Sequence, residues 1–312
     1  MKTKFKKMTK EERKKFGRKR PYRNLLIVSL IGIITGVAIG VYFNSNKLDP
    51  NRYNFDVSTL VDDVNEIKLE AETKNPEQLG ATKSCVLAFD TTFNYPKVSI
   101  VGKGVVSASV GFMSVDQTID AKTIRLGNKL FFENVSISSF VKALNRYYVT
   151  DDIISHHAGT LSGNEITWNQ SSDNTKESDI KTMADYKAKY ECTMNEYMNY
   201  IVSSKTVVTE SEVTINADGN YVFTLTLDKS KSVVRYVKTM KDTGGLSEYP
   251  NFTGDPQISL VIDSQYRILE FTSNETYKAN VGISANSTAT LTNKFTYDED
   301  FIIPDITQKT II

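Results

Sequence analysis

Cysteine and histidine are scarce in this chain of 312 residues: two of each, beside a single tryptophan. Cys85 and Cys192 form no CxxC pair, which excludes a zinc site of the usual spacing. His156 and His157 are adjacent, with Asp151 and Asp152 close by. Neighbouring residues on a loop rarely hold one metal together, and no HExxH pattern is present. A serine or cysteine nucleophile would have to use one of these two histidines, and nothing matches GxSxG. The phosphate loop GxxxxGK[ST] is missing too. No metal, cofactor or catalytic residue is therefore expected, and the chain reads as a non-enzyme. Carboxylates are plentiful, so a hydrolase built on a carboxylate pair stays open as the least favoured reading.

Charge is unevenly placed. Residues 1–23 carry twelve Lys and Arg against Glu11 and Glu12, so that a formal net charge of +1 for the whole leaves about −9 for the remainder. A tail this basic could bind nucleic acid, but the apolar run beside it explains it better, and no nucleic-acid partner is expected. Residues 24–43, NLLIVSLIGIITGVAIGVYF, hold no charge. As a helix this run would cross a hydrocarbon core of ~30 Å. The run is long and its exit lacks a small-residue cleavage site, which favours a retained anchor over a cleaved signal. The positive-inside rule then puts 1–23 in the cytoplasm and 44–312 outside the cell membrane, in a single pass. Gly32, Gly36 and Gly40 recur every fourth residue, a spacing that allows close helix–helix contact and a homodimer. Cys85 and Cys192 would both lie on the outer side, where either a disulfide or two separate buried thiols would serve.

The expected organisation is a basic tail (1–23), a transmembrane helix (24–43), a stalk and entry helix (44–78) and a β-rich domain (79–312). Val57, Leu60, Val61, Val64 and Ile67 follow a helical stripe over 57–73, and Pro76 after Asn75 restarts a helix. The segment 77–93 reads as a helix, with a strand as the competing assignment. Strand patterns follow from Ser99, with Gly127-Asn128 marking a two-residue hairpin. Phe140, Leu144 and Tyr148 predict a short helix over 137–148, and residues 159–178 a long loop around Trp168. Ile180, Met183, Tyr186, Tyr190, Met194, Tyr197 and Ile201 predict a long amphipathic helix. Turns at Asp218-Gly219, Asp263-Ser264-Gln265 and Asn286-Ser287 separate alternating strands, and Val233, Val237 and Met240 form a further helical stripe. The fold class expected is α+β: one transmembrane helix, then a curved antiparallel meander with packed helices.

The closing strand-turn-strand ISLVIDSQYRILEF, followed by ISANSTATLTNKFTY within Gln257 to Tyr297, resembles the lipoprotein-carrier group typified by LolA and LppX. The resemblance covers the pattern of about 200 residues and includes no signature motif. It implies a curved sheet with helices in its concavity, and an apolar ligand, such as a lipid, beneath it. Phe89, Phe93, Phe140, Leu144, Tyr147 and Tyr236 are the candidate lining residues. The expected function is an extracytoplasmic domain that binds an apolar molecule or a cell-envelope partner. A scaffold or sensor domain with a fully packed core is the alternative.

Overall fold

The computed structural model describes residues 64–140, 142–169, 180–190, 194, 200–203, 206–233, 236–237, 240–241, 246, 248–280 and 284–312. The basic tail, the run 24–43 with Gly32, Gly36 and Gly40, the start of the entry helix and Cys192 lie outside these residues. Among the described residues, no helix is long and apolar enough to cross a membrane.

Four helices are described. Helix α1 spans Val64–Ala71 and α2 spans Pro76–Leu79. The longest, α3, spans Ala81–Asn94, and α4 spans Met183–Tyr190. The start of α2 has the predicted chemistry. Asn75 accepts from the Gln78 backbone N–H, the Gln78 side chain accepts from the Asn75 backbone, and Pro76 takes the first turn.

The rest is strand: β1 Lys97–Val110, β2 Met113–Leu126, β3 Lys129–Ser138, β4 Lys142–Thr150, β5 Ile153–Ser162, β6 Glu165–Trp168, β7 Val208–Ile215, β8 Tyr221–Leu227, β9 Asn251–Phe252, β10 Gln257–Ile262, β11 Ile268–Asn280 and β12 Ser284–Tyr297. They form one antiparallel sheet in the order β6-β5-β4-β3-β2-β1-β12-β11-β10-β8-β7, with β9 on β11. The first and last long strands, β1 and β12, pair along twelve residues and join two meanders. The α+β expectation with a transmembrane helix is thus overturned for the described residues, where one twelve-stranded sheet outweighs four modest helices.

Three local readings change with it. Residues 137–148 are not a helix but the end of β3, a turn and most of β4. Positions i, i+4 and i+8 share one parity, so that stripe fits a period of two as well as a helix. The expected loop around Trp168 begins as the hairpin β5–β6, turning through Gly163 at φ 63°. Asn286 and Ser287 do not turn. They sit inside β12 opposite Lys278 and Tyr277 of β11. The hairpin at Gly127-Asn128 forms as read, with Leu126 opposite Lys129. Of the amphipathic stripe from Ile180, the described helix is Met183–Tyr190.

Register and period two assign each side chain to a face. One face carries the helices and is called inner here. Its main core joins Val64 and Ile67 of α1, Leu79, and Cys85, Val86 and Phe89 of α3 to Phe223, Leu225, Leu260, Phe271 and Tyr277 of the sheet. A second inner cluster sets Tyr186 of α4 against Leu130, Tyr147, Val149 and Ile154. Val135, Leu144, Leu161 and Ile166 form a third cluster on the outer face, where Trp168 and Ile311 cover it.

Candidate functional site

Between its two filled ends, the inner face carries a strip over β12, β1 and β2. Ile100, Ile119, Ala121, Ala289 and Leu291 point into it, and each is only partly buried. Two positions of β1 within it are glycine, and side chains of β12 fill the room above them. A Cβ at Gly102 would run into Asn293 Oδ1, and one at Gly104 would meet Leu291 Cδ1 at 3.2 Å. Glycine there lets the side chains of β12 lie across the neighbouring strand.

At one end the strip is bounded by the C-terminus of α3. Phe89 is buried against Phe271, with ring centroids 6.1 Å apart, and Phe93 packs on Phe89 at 5.5 Å with the rings tilted by 34°, while remaining half-buried. Arg125 reaches from β2 to the last carbonyls of the helix, donating to Thr92 O at 2.6 Å and to Phe93 O. A guanidinium suits this place, because the final helix carbonyls lack partners and carry partial negative charge. Burial lowers its pKa to about 10. At the other end, His156 stacks on Tyr147 at 4.3 Å, and Asn145 Oδ1 lies 3.1 Å from its Nε2. Burial and then the nearby His157 push His156 down to about 4, which keeps the ring neutral.

A polar cluster lies inside the main core. Glu275 of β11 is buried and faces inward, between Ser273 and Tyr277 on the same face. Tyr200 donates to Glu275 Oε2 at 2.5 Å, and Tyr236 donates to Oε1 at 2.9 Å. The rings of Tyr200, Tyr236, Phe252 and Tyr277 succeed one another at centroid distances of 4.9, 6.1 and 5.6 Å. No cation is paired with this carboxylate among the described residues. Burial therefore pushes its pKa up to about 7, against the lowering effect of the two tyrosine hydrogen bonds. Burial raises the Tyr200 and Tyr277 hydroxyls well above their ordinary pKa.

The residues picked out by sequence do not converge. Phe89 and Tyr236 belong to the main core, and Phe93 borders the strip. Tyr147 is in the second inner cluster, under α4. Leu144 points to the outer face, because three positions along a strand change the side. Phe140 lies in the β3–β4 turn at 65% exposure and lines nothing. Cys85 is a free thiol, fully buried in α3, and burial raises its pKa. His156 and His157, expected on a loop, are on β5 and face opposite sides of the sheet. Among the described residues no group of three potential metal ligands comes together. Glu275 was missed. Its signal is the inward parity of Phe271, Ser273, Glu275 and Tyr277, where a carboxylate interrupts a buried row.

No known protein family matches the chain, and no curated protein does. Similar solved structures include a DUF1329 family protein from Desulfovibrio piger, at 10% identity over 73% of this chain and 96% of that one, with a TM-score of 0.27. An outer membrane lipoprotein-sorting protein domain from Vibrio parahaemolyticus is similar at 10% identity over 76% and 97%, also with a TM-score of 0.27. An S-type phycobiliprotein lyase from Guillardia theta follows at 8% identity over 71% and 99%, with a TM-score of 0.24. At such TM-scores none of these likenesses carries an argument about this chain.

Proposed function

We propose that the inner face of the sheet binds an apolar molecule of the lipid class, in a domain that works by binding and not by catalysis. The observation that supports this is the strip of half-buried Ile100, Ile119, Ala121, Ala289 and Leu291, of which Ile100, Ile119 and Ala289 pack against the edge of the main core. Ligand sites are concave, mostly apolar and furnished with a few polar groups. The strip offers that mixture, with Asn293 and Gln117 on the same face. The domain is proposed to act outside the cytoplasm, on the charge asymmetry around residues 1–23. Protease added to intact cells would then remove the domain.

The direct test is native mass spectrometry of the purified protein together with titration of a fluorescent fatty-acid probe. Co-purifying lipid or binding at micromolar probe supports the reading. Leu291→Arg, which sets a charge into the strip, is expected to reduce probe binding at least tenfold, about 1.4 kcal/mol. If no lipid co-purifies and no probe binds, lipid carriage is abandoned.

One observation favours a second reading, a docking surface for an envelope protein. Phe112 is 98% exposed at the β1–β2 tip, and Phe140 is exposed at the β3–β4 turn of the same sheet end. Loss of partner capture on Phe112→Ser, with probe binding intact, would favour this reading over carriage.

A further inference from the structure

Among the described residues, the buried polar atoms of the inner face without a hydrogen-bond partner include Arg125 Nε beneath the end of α3 and, away from it, Tyr277 Oη, Ser287 Oγ and Gln117 Nε2. None of the last three side chains is more than 3% exposed. Buried polar groups in folded proteins are nearly always satisfied, and each exception costs about 1–3 kcal/mol. Three such exceptions on one face call for a common cause.

The register places them around one spot. Tyr277 of β11 stands directly opposite Ser287 of β12, whose other neighbour is Ala108 of β1. One pleat along, Glu275, Ala289, Val106 and Gln117 follow one another across β11, β12, β1 and β2. Ser287 and Gln117 are therefore two strands apart, about 10 Å across the sheet. The positions between them are short: Ala108, Ala289 and Val106. Tyrosine and serine stand on one side, glutamine on the other, and low side chains lie between. Hydrogen-bond donors thus stand on both flanks of a run of small side chains, which adjoins the apolar strip through Ile119, two residues from Gln117 on the same face.

Resting on the lipid-binding reading above, we infer that Tyr277, Ser287 and Gln117 form the subsite for the polar head of the bound molecule, an acyl chain whose head is an uncharged carbonyl group. Each of the three can donate, and an ester or amide carbonyl accepts up to two hydrogen bonds. The Glu275 carboxyl lies one pleat from Tyr277, held by two tyrosine hydroxyls and no cation. A second carboxylate placed beside it would meet like charge in a poorly solvated interior. A monoacylglycerol head is therefore preferred to a free fatty acid.

The test uses the full chain and N-phenyl-1-naphthylamine, a fluorescent apolar probe without an acyl head. Monoacylglycerol and the fatty acid of the same chain length are compared as competitors at pH 8. Tyr277→Phe, Ser287→Ala and Gln117→Leu keep shape and remove the donors. The combined variant is expected to lose at least tenfold in monoacylglycerol affinity relative to its affinity for the naphthylamine, the loss of about one net hydrogen bond. Its thermal stability should be unchanged or higher, because unsatisfied groups are gone. Ser287→Ala alone guards against a triple variant that misfolds, and should weaken monoacylglycerol measurably. Unchanged monoacylglycerol binding in well-folded variants overturns the subsite and leaves the three groups to ordered water. Fatty acid competing as well as monoacylglycerol overturns the uncharged head. Failure of the wild type to bind the naphthylamine at all removes the lipid-binding reading itself, and the subsite with it.

Discussion

Glu133 and Glu275 are both glutamates at 5% exposure or less, on strands of one sheet, yet their surroundings differ completely. Glu133 faces outward and meets Arg146, whose Nε and Nη2 lie 2.7 and 2.6 Å from Oε2. The rest of that guanidinium donates to the carbonyls of Ile306, Gln308 and Thr310, and Ile312 N–H donates to Glu133 Oε1 at 3.1 Å. Trp168 adds a bond from Nε1 to Thr307 O and lies under the Arg146 guanidinium at 5.2 Å. Charge and hydrogen-bonding capacity are consumed internally, and the segment 306–312 is strapped to the outer face. Among the described residues, Glu275 is met only by tyrosine hydroxyls and sits beside side chains with unused donors. The saturated carboxylate fixes structure. The uncompensated one is proposed to lie beside the ligand's head.

The sharpest way to break this contrast is at Arg146. Arg146→Met leaves Glu133 buried without a counter-charge and frees the carbonyls of the strap. Removing one partner of a buried pair costs about 3–5 kcal/mol. Urea unfolding should show that loss with little change in ligand binding, since the strip lies on the other face. A loss below about 1 kcal/mol would mean that the outer pair is dispensable, and the contrast would fail.

Glu275 is expected to act on stability with the opposite logic. Its folded pKa of about 7 is above the ordinary value of 4.5, so the folded state holds a proton that the unfolded chain releases first. This group's contribution is fully present below pH 4.5 and is lost as pH rises through 7. At 1.36 kcal/mol per unit the loss is about 3 kcal/mol. His156 works the other way, because its pKa falls from 6.5 to about 4 and stability is lost as pH drops through that window. The half-buried ring should give the smaller effect. The two slopes offset, so the wild-type profile between pH 4 and 7 is expected to be shallow. Glu275→Gln should steepen it, making the variant more stable than the wild type at pH 8 by about 3 kcal/mol relative to their difference at pH 4. Parallel profiles for the two proteins would remove the uncompensated carboxylate from the comparison.

The two regions also differ in how far sequence could reach them. Local chemistry was legible wherever it was self-contained: the Asn75-Pro76 helix start, the Gly127-Asn128 hairpin, and the turn at Asp263, where the side chain accepts from the backbone of Gln265 and Arg267. Helix and strand could not be told apart over 137–148, since Phe140, Leu144 and Tyr148 satisfy both periods. Asn286-Ser287 looked like a turn because its composition suits one and its partners in β1, Ser109 and Ala108, are distant in sequence. The partners of the two buried glutamates were hidden for different reasons. Glu133 and Arg146 are 13 residues apart and pair across the β3–β4 hairpin, which a helix over 137–148 does not allow, whereas Tyr200 reaches Glu275 from 75 residues away. The apolar lining was read as one set, although Leu144 and Tyr147 belong to opposite faces of β4.

The smallest expected effect tests that last correction. Phe140 was a candidate lining residue on a helix stripe; it stands in the β3–β4 turn, where its backbone N–H donates to Ser138 Oγ at 3.2 Å and its ring is largely in water. A side chain this exposed has little buried apolar area to lose, and surface substitutions of this kind stay within about ±0.5 kcal/mol. Phe140→Ser should therefore leave the unfolding midpoint and probe affinity of the wild type in place, while Leu291→Arg is expected to weaken probe binding at least tenfold from a position on the strip. A clear drop in probe affinity for Phe140→Ser would mean that ligand reaches the hairpin tips, and the site would have to be extended from the inner strip to the sheet end that carries Phe112 and Phe140.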